Sequence, residues 1–351
     1  MRYKNELLAA LLKETELHKD YLGDEQIETI YFGGGTPSLL QIEDLKIQIG
    51  KVMHTFQVSK HAEITLEANP DDITEKKLTG WKEIGINRLS IGVQSFFDDD
   101  LLWMNRAHNA RQALNSLQLA IKQFDNITID LIYGHPLLTN EKWKQNVEKV
   151  IALNIPHISC YALTVELKTP LHKMINEKKI ENIQQEKQAE QFLLLMQWLE
   201  EAGYEHYEIS NFSRPGFRSR HNSSYWQGKK YLGLGPSAHS FNGISRQWNI
   251  SNNKTYIDSI EKNKIPFEKE ILTPSQQLNE YIMTSLRTAE GLDLERVGSS
   301  QSGVQSRDLR IRSEKFIESG KLIFKENKLI LTNEGKLFAD GIAAELFVDS
   351  I

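Results

Sequence analysis

"ETIYFGGGTPSLL", Glu28 to Leu40, sets a run of strand-forming residues, Ile30, Tyr31 and Phe32, directly against three glycines and then Thr-Pro-Ser. Glycine loses more freedom on folding than any other residue, so three in a row mark a place that needs bare backbone. Side chains at Gly33, Gly34 and Gly35 would keep a ligand away from main-chain N–H and C=O groups. A tight strand-to-helix turn is the other reading, and these residues alone leave both open. Pro37 and Ser38 read as the start of the next helix, whose N-terminus would favour a carboxylate or phosphate. The run lacks the later glycines of a dinucleotide fingerprint and the lysine of a P-loop.

Working outward, the first half of the chain alternates. The apolar, β-branched runs "ETIYFGG", "AEITLEANP", "NRLSIGVQS", "NITIDLIYG" and "HISCYALTVE" read as strands. Between them, "SLLQIEDLKIQIGKVMHTF", "TEKKLTGWKEIG", "ARQALNSLQLAIKQF" and "EKWKQNVEKVIAL" carry apolar residues at helical spacing. Strand–helix repeats imply parallel strands covered by helices. Polar residues gather at the strands' C-terminal ends: Gly33 to Thr36, Glu67 and Asn69, Gln94 and Ser95, Asp130 and Gly134. Barrels and open α/β sheets both build sites at that edge, and the unbroken order of units favours a partial barrel.

Later the texture changes. "EKQAEQFLLLMQWLEEAGYEHYEIS" reads as a helix then a strand, and residues 211–250, rich in Gly, Ser, Asn, His and aromatics, read as loops and short strands. From Thr273 the pattern is helix, helix, two-stranded ribbon and closing helix, with the hairpin turning at Glu326-Asn327, which is winged-helix-like. The predicted organisation is a barrel over residues 1–210, a connecting region over 211–272 crossing its mouth, and a tail domain over 273–351.

The chain of 351 residues is 40% hydrophobic and 25% charged, ordinary values for a globular protein with a large core. A net charge of −5 implies no general attraction to nucleic acid or anionic membrane. One cysteine, Cys160, rules out internal disulfides and fits a reducing cytosol. No apolar run suits a membrane span, and "MRYKNELLAALLKETELHKD" reads as an amphipathic helix, not a signal peptide. In the tail, Arg307, Arg310, Arg312, Lys315 and Lys321 alternate with acids, unlike the clean basic face of a DNA reader.

Four side chains have a chemical reading of their own. Glu67 ends an apolar strand, where a carboxylate could accept bonds from ribose hydroxyls or an ammonium group. Gln94 follows "LSIGV". Asp130 interrupts "ITIDLIYG", where a charge needs a partner, and Arg106 in "MNRAH" is an available bidentate one for Asp130 or for a ligand carboxylate. A structural ion pair is the alternative for those two. His108 reads as a loop residue.

"IYFGGGTPSLL", "ITLEANP", "INRLSIGVQSF", "NRAH" and "DLIYGHP" together resemble the radical S-adenosylmethionine superfamily, and within it the oxygen-independent coproporphyrinogen III oxidase-like proteins. "HNSSYWQGKKYLGLGPSAHSF", residues 221–241, and the winged-helix-like tail resemble the branch of heme chaperones. The resemblance runs over nearly the whole chain. It implies an α/β fold: a partial parallel (β/α) barrel with its first strand missing, then a C-terminal winged-helix-like α+β domain. It implies that Gly34, Gly35 and Thr36 hold the methionine end of S-adenosylmethionine, with Glu67, Gln94, Arg106 and Asp130 lining the rest of the site.

The resemblance also implies a 4Fe-4S cluster held by a Cys-x-x-x-Cys-x-x-Cys loop ahead of the first helix. That loop is not in this sequence. One cysteine cannot supply three thiolates, and Cys160, inside "HISCYALTVE", reads as a small buried hydrophobe. The expectation for this chain is no cluster, no metal and no radical chemistry, with the edge of its sheet at Ile30–Phe32 uncovered. Either the native polypeptide is longer or the protein is a remnant. The retained Gly-Gly-Gly-Thr-Pro and the four site residues favour the first. Leu137 in "YGHPLLT" stands where the family has glycine, which alters a loop.

His221 and His239 are imidazoles able to ligate heme iron, and Tyr225, Trp226, Tyr231 and Phe241 offer flat faces to a porphyrin. A loop with satisfied histidines is the plain alternative. Two functions follow from the resemblance: a cytoplasmic heme chaperone that passes heme to acceptor hemoproteins, or an enzyme that oxidatively decarboxylates coproporphyrinogen III. The "HNSSYW" stretch leans toward the chaperone, and the arginine or lysine cluster that would favour an enzyme binding a tetracarboxylate is not evident. A phosphate-binding barrel would leave the other motifs unexplained.

Overall fold

The computed structural model describes residues 3–300 and 305–348; Met1 and Arg2 of the expected first helix and residues 349–351 of the expected tail domain lie outside the described residues. Thirteen strands follow in chain order: β1 (Ile27–Phe32), β2 (Val58–Ala68), β3 (Arg88–Gln94), β4 (Ile127–Tyr133), β5 (His157–Ala162), β6 (Glu205–Glu208), β7 (Asn211–Ser213), β8 (His239–Phe241), β9 (Ser245–Asn249), β10 (Phe267–Ile271), β11 (Leu292–Asp293), β12 (Leu322–Lys325) and β13 (Lys328–Leu331). β1 to β7 form one sheet in the order β1-β2-β3-β4-β5-β7-β6. β2 to β5 pair in parallel, whereas β7 runs antiparallel to both β5 and β6. The five strands read from sequence are therefore present. The sheet stops being parallel where the two-residue link after Glu208 allows only a hairpin.

By contacts the described chain forms two compact units, one of Phe32–Leu39 with Ile64–Ser219, and one of the residues up to Tyr31, Leu40–Glu63, and those from Arg220 on. In the first unit, strand alternation sorts side chains onto two faces. Leu89, Ile91 and Val93, Ile127, Ile129 and Leu131, and Ile158 and Cys160 are all buried. They share the core with Leu78 and Trp81, Ala113 and Leu117, Trp143 and Val147, and Phe192 and Leu195 from successive helices. Tyr133 stacks between Trp143 and Phe192 at 5.6 and 6.1 Å. The other face is polar. Arg88 donates to Thr128, whose hydroxyl meets His157 Nδ1 at 2.9 Å, and His157 Nε2 meets the Tyr207 hydroxyl at 2.7 Å. Helix starts are fixed locally: Thr74 and Thr139 accept N3 amides, and Asn109 and Gln112 cap each other.

One reading needs correction. Pro37–Leu39 is a single 3₁₀ turn, and the α-helix begins at Ile42 behind a reciprocal Gln41–Asp44 cap. No α-helix N-terminus stands at the glycine run.

In the second unit the tail forms the helices Pro274–Leu286 and Ser306–Glu318, then the β12–β13 hairpin. Glu326 and Asn327 have φ of +49° and +59°, the paired left-handed turn that matches strand twist. The ribbon gains a third strand, β11, beside β13. Several tail cations are engaged: Arg312 donates to the Glu345 and Phe347 carbonyls, and Lys315 pairs with Glu345. No helix among the described residues is long and apolar enough to cross a membrane.

The helix Lys4–Leu17 is tied into this unit by Glu14, which is fully buried. Its carboxylate accepts the Tyr256 hydroxyl at 2.5 Å, Asn249 Nδ2 at 2.6 Å and the Gly235 amide at 2.8 Å. Burial raises its pKa, and these three bonds oppose the rise. Glu14→Ala strands three buried donors and is expected to cost about 3 kcal/mol or more by urea unfolding, while Glu14→Gln, which keeps an acceptor, costs clearly less. Equal losses in the two variants would contradict this account of the anchor.

Candidate functional site

In the first unit, a pocket of about 190 Å³ opens at the C-terminal ends of the parallel strands, lined by Gly35, Thr36, Pro37 and Ser38, Glu67 to Asn69, Ser90, Gly92, Gln94, Arg106 and Asp130. Six of the seven residues expected to hold a cofactor line it; Gly34 is its neighbour in the same turn. Gly34 and Gly35 sit at φ of +74° and +68° with open space where a Cβ would be, so conformation and not crowding selects glycine there. The Gly34 amide donates to Glu67 Oε2 at 3.1 Å. Among the described residues, the Gly35 and Thr36 amides make no hydrogen bond. Bare backbone thus faces the pocket, with one of its amides already held by a pocket carboxylate.

Gln94 ends β3 at φ +70°, next to a register break between Ile91 and Gln94. That conformation costs a non-glycine residue about 1 kcal/mol or more and re-aims the side chain. A Cβ on Gly92 would stand 3.0 Å from Gln94 Nε2 and 3.3 Å from Arg106 Nη2, so a side chain there would press on both groups. Arg106 Nη2 donates to Asn69 Oδ1 at 3.1 Å and to the Gly92 carbonyl at 3.3 Å. Of the two partners open to Arg106, Asp130 or a ligand carboxylate, Asp130 is not paired with it; Arg106 reaches Asp130 only through space. Its buried Nε has no partner among the described residues. Asp130 is pushed up to about 7, first by burial and then by the Glu67 carboxylate, with Ser159 and the two arginines Arg88 and Arg106 opposing. His108 is buried, with Nε2 on the Val93 carbonyl at 3.1 Å, a structural role. Cys160 lies on the buried apolar face, and burial drives its thiol pKa well up.

The pocket fits an amino-acid nucleoside. Its open amides and the Arg106 Nε suit a carboxylate; Glu67 and Asp130 suit an ammonium or ribose hydroxyls. An iron–sulfur cluster does not fit the residues present: among the described residues, no group of three or more His, Cys, Asp or Glu side chains could hold a metal. A larger groove of about 640 Å³ follows residues Glu181 to Glu186, but one run of chain lines it and no other element contributes.

A second cluster lies within the second unit. His221, in the helix Arg220–Trp226, stacks on Tyr31 with centroids 4.5 Å apart and planes 14° off parallel. Tyr225 meets it edge-on at 5.1 Å, Tyr231 meets Tyr225 at 4.7 Å, and Phe241 follows at 6.2 Å. Trp226 does not join this series; the Arg287 guanidinium covers its ring at 5.5 Å. His239 is exposed on β8, stacked on Trp248 at 6.1 Å. Sequence reasoning missed Ser90 and Gly92, whose only signal was their period-two relation to Gln94. It also missed Thr29 and Glu63, which touch His221 from distant parts of the chain.

With these geometries in view, comparison adds kinship. Residues 11–165 match the radical SAM superfamily and residues 272–338 the HemN C-terminal domain. The heme chaperone HemW of Bacillus subtilis (strain 168) is 34% identical over 327 residues, covering 91% of this chain and 85% of that protein. The heme chaperone HemW of Mycobacterium tuberculosis (strain CDC 1551 / Oshkosh) is 32% identical over 343 residues, covering 97% of this chain and 85% of that protein. The solved coproporphyrinogen III oxidase HemN of Escherichia coli superposes with a TM-score of 0.83 at 22% identity over 99% of this chain and 84% of that one, a likeness of fold.

The Asp130 environment predicts a pH signature. Its folded pKa, about 7, lies above the unfolded value near 3.9, so the folded state holds this proton more tightly. Stability is lost as pH rises from about 4 to about 7, by at most about 1.4 kcal/mol per pH unit from this group. Asp130→Asn, which mimics the protonated form, should match the parent near pH 4 and be the more stable near pH 8. Melting curves that stay parallel across that range would contradict the assignment.

Proposed function

The chain belongs to the radical SAM superfamily, in its HemN- and HemW-like branch, and from that premise we propose that it is a heme carrier that hands heme to acceptor proteins. The observation that carries this reading is His221, an imidazole held on an aromatic series that runs through Tyr31, Tyr225, Tyr231 and Phe241. Flat rings bury a porphyrin's apolar faces, and one oriented imidazole supplies an iron ligand. The heme-chaperone names of relatives at 32–34% identity support it. His221 is the iron ligand we favour over His239, because its ring is half-buried and oriented by neighbours on several sides.

S-adenosylmethionine is the second ligand of this reading. The Gly35 and Thr36 amides and the Arg106 Nε would take its carboxylate, Glu67 and Asp130 its ammonium and ribose, and Gln94 its nucleoside. When bound, that cofactor supplies a cleavable sulfonium bond in the superfamily. In this chain the pocket residues bind and orient it, and nothing in the heme reading is routed through a cluster. Work in the cytosol accords with the single cysteine.

The alternative is an oxygen-independent coproporphyrinogen III oxidase. The fold and the S-adenosylmethionine pocket are common to both readings, so neither separates them. The heme-chaperone names of the relatives at 32–34% identity favour the carrier.

Hemin titration followed at the Soret band tests the proposal. His221→Ala should weaken binding at least about tenfold, the scale of losing a metal's ligand set, while His239→Ala stays near the parent. Loss of binding in the His239 variant alone, or in neither, would overturn the assignment.

A further inference from the structure

The His221 ring and its backbone are held from three sides in the second unit. Thr29 Oγ1 lies 2.9 Å from Nδ1. Tyr31, two residues on and so on the same face of β1, stacks beneath the ring. The buried Glu63 carboxylate accepts the His221 amide at 3.0 Å and the Arg220 amide at 3.2 Å, which fixes the backbone from which the ring hangs. On the fourth side the Tyr225 hydroxyl lies 3.2 Å from Nε2.

We infer that Thr29 is the residue that sets the tautomer and aim of His221, and that the Tyr225 hydroxyl is the cap that a heme iron must displace from Nε2. The inference rests on the heme reading above. Nδ1 is turned onto β1 and reaches no ligand without dismantling the bracket, so Nε2 is the nitrogen left for iron. Iron takes an unprotonated nitrogen, so the proton belongs on Nδ1, where it donates to Thr29 Oγ1. Such a bond raises the basicity of the ligating nitrogen and fixes the ring plane. In the heme-free chain the same tautomer leaves Nε2 as an acceptor for the Tyr225 O–H.

Tyr225 is suited to be a cap that leaves. It is 40% exposed, so its ring can turn toward solvent without repacking a core. Glu63 is a positioning residue, since it acts on the ring through the main chain.

The test is hemin titration of the full chain with Thr29→Val, Thr29→Ser, Tyr225→Phe and His221→Ala, with resonance Raman of the ferrous iron–histidine stretch. Thr29→Val should weaken hemin binding about tenfold and lower that stretching frequency, and Thr29→Ser should restore both. Tyr225→Phe should tighten binding by about two- to tenfold, because no hydroxyl has to be removed from Nε2. Should Thr29→Val fail to fold, the half-exposed Tyr225 carries the test alone. Parent-like binding and spectra in the Val and Phe variants, with binding lost in His221→Ala, would overturn the bracket and leave the heme reading standing. Parent-like binding in His221→Ala would overturn both.

Discussion

The period of two along the parallel strands is the constraint on which the site depends. Successive residues point to opposite faces, so β3 can bury Leu89, Ile91 and Val93 in the core while Ser90, Gly92 and Gln94 face the pocket. β4 does the same with Ile129 and Leu131 against Asp130. A slip of one residue would exchange the faces, placing carboxylates among the helices and leucines at the pocket. The apolar face fixes the register, and the register fixes where the polar groups converge.

Convergence then depends on two departures from regular backbone. The left-handed Gly34 and Gly35 turn the chain so that the Gly35 and Thr36 amides meet the pocket, and the irregular end of β3 brings Gln94 over Gly92. Arg106 fills the remaining side through Asn69 and the Gly92 carbonyl. The outcome is a polar recess holding two carboxylates and one guanidinium. It suits a small zwitterionic nucleoside better than a tetracarboxylate. The aromatic cluster around His221 has the opposite character, with apolar rings set largely edge-on to one another around one imidazole.

How much could be read from the chain depended on how local each signal was. Glu67 and Gln94 stood out as polar residues ending apolar strands, and Asp130 as a charge within one. The tail hairpin was legible because Glu326-Asn327 is a two-residue link between apolar runs, and its φ values are those such a link needs. The sequence left the partner of Arg106 open between Asp130 and a ligand, and its bond to Asn69 was not legible because a loop conformation decides it. Pro37 looked like a helix start, but the Gln41–Asp44 cap four residues later is the stronger signal. Thr29 and Glu63 were beyond reach, since they meet residue 221 across 192 and 158 positions of sequence. Contacts of that span are products of the completed fold.

Hydrogen exchange with saturating S-adenosylhomocysteine, read by mass spectrometry, tests most directly whether the recess at the strand ends is a nucleoside site. The account predicts slowed exchange across residues 33–38, with Gly35 and Thr36 foremost, and across 67–69 and 92–94. Bound ligand that leaves the glycine turn exchanging at its free rate would contradict it.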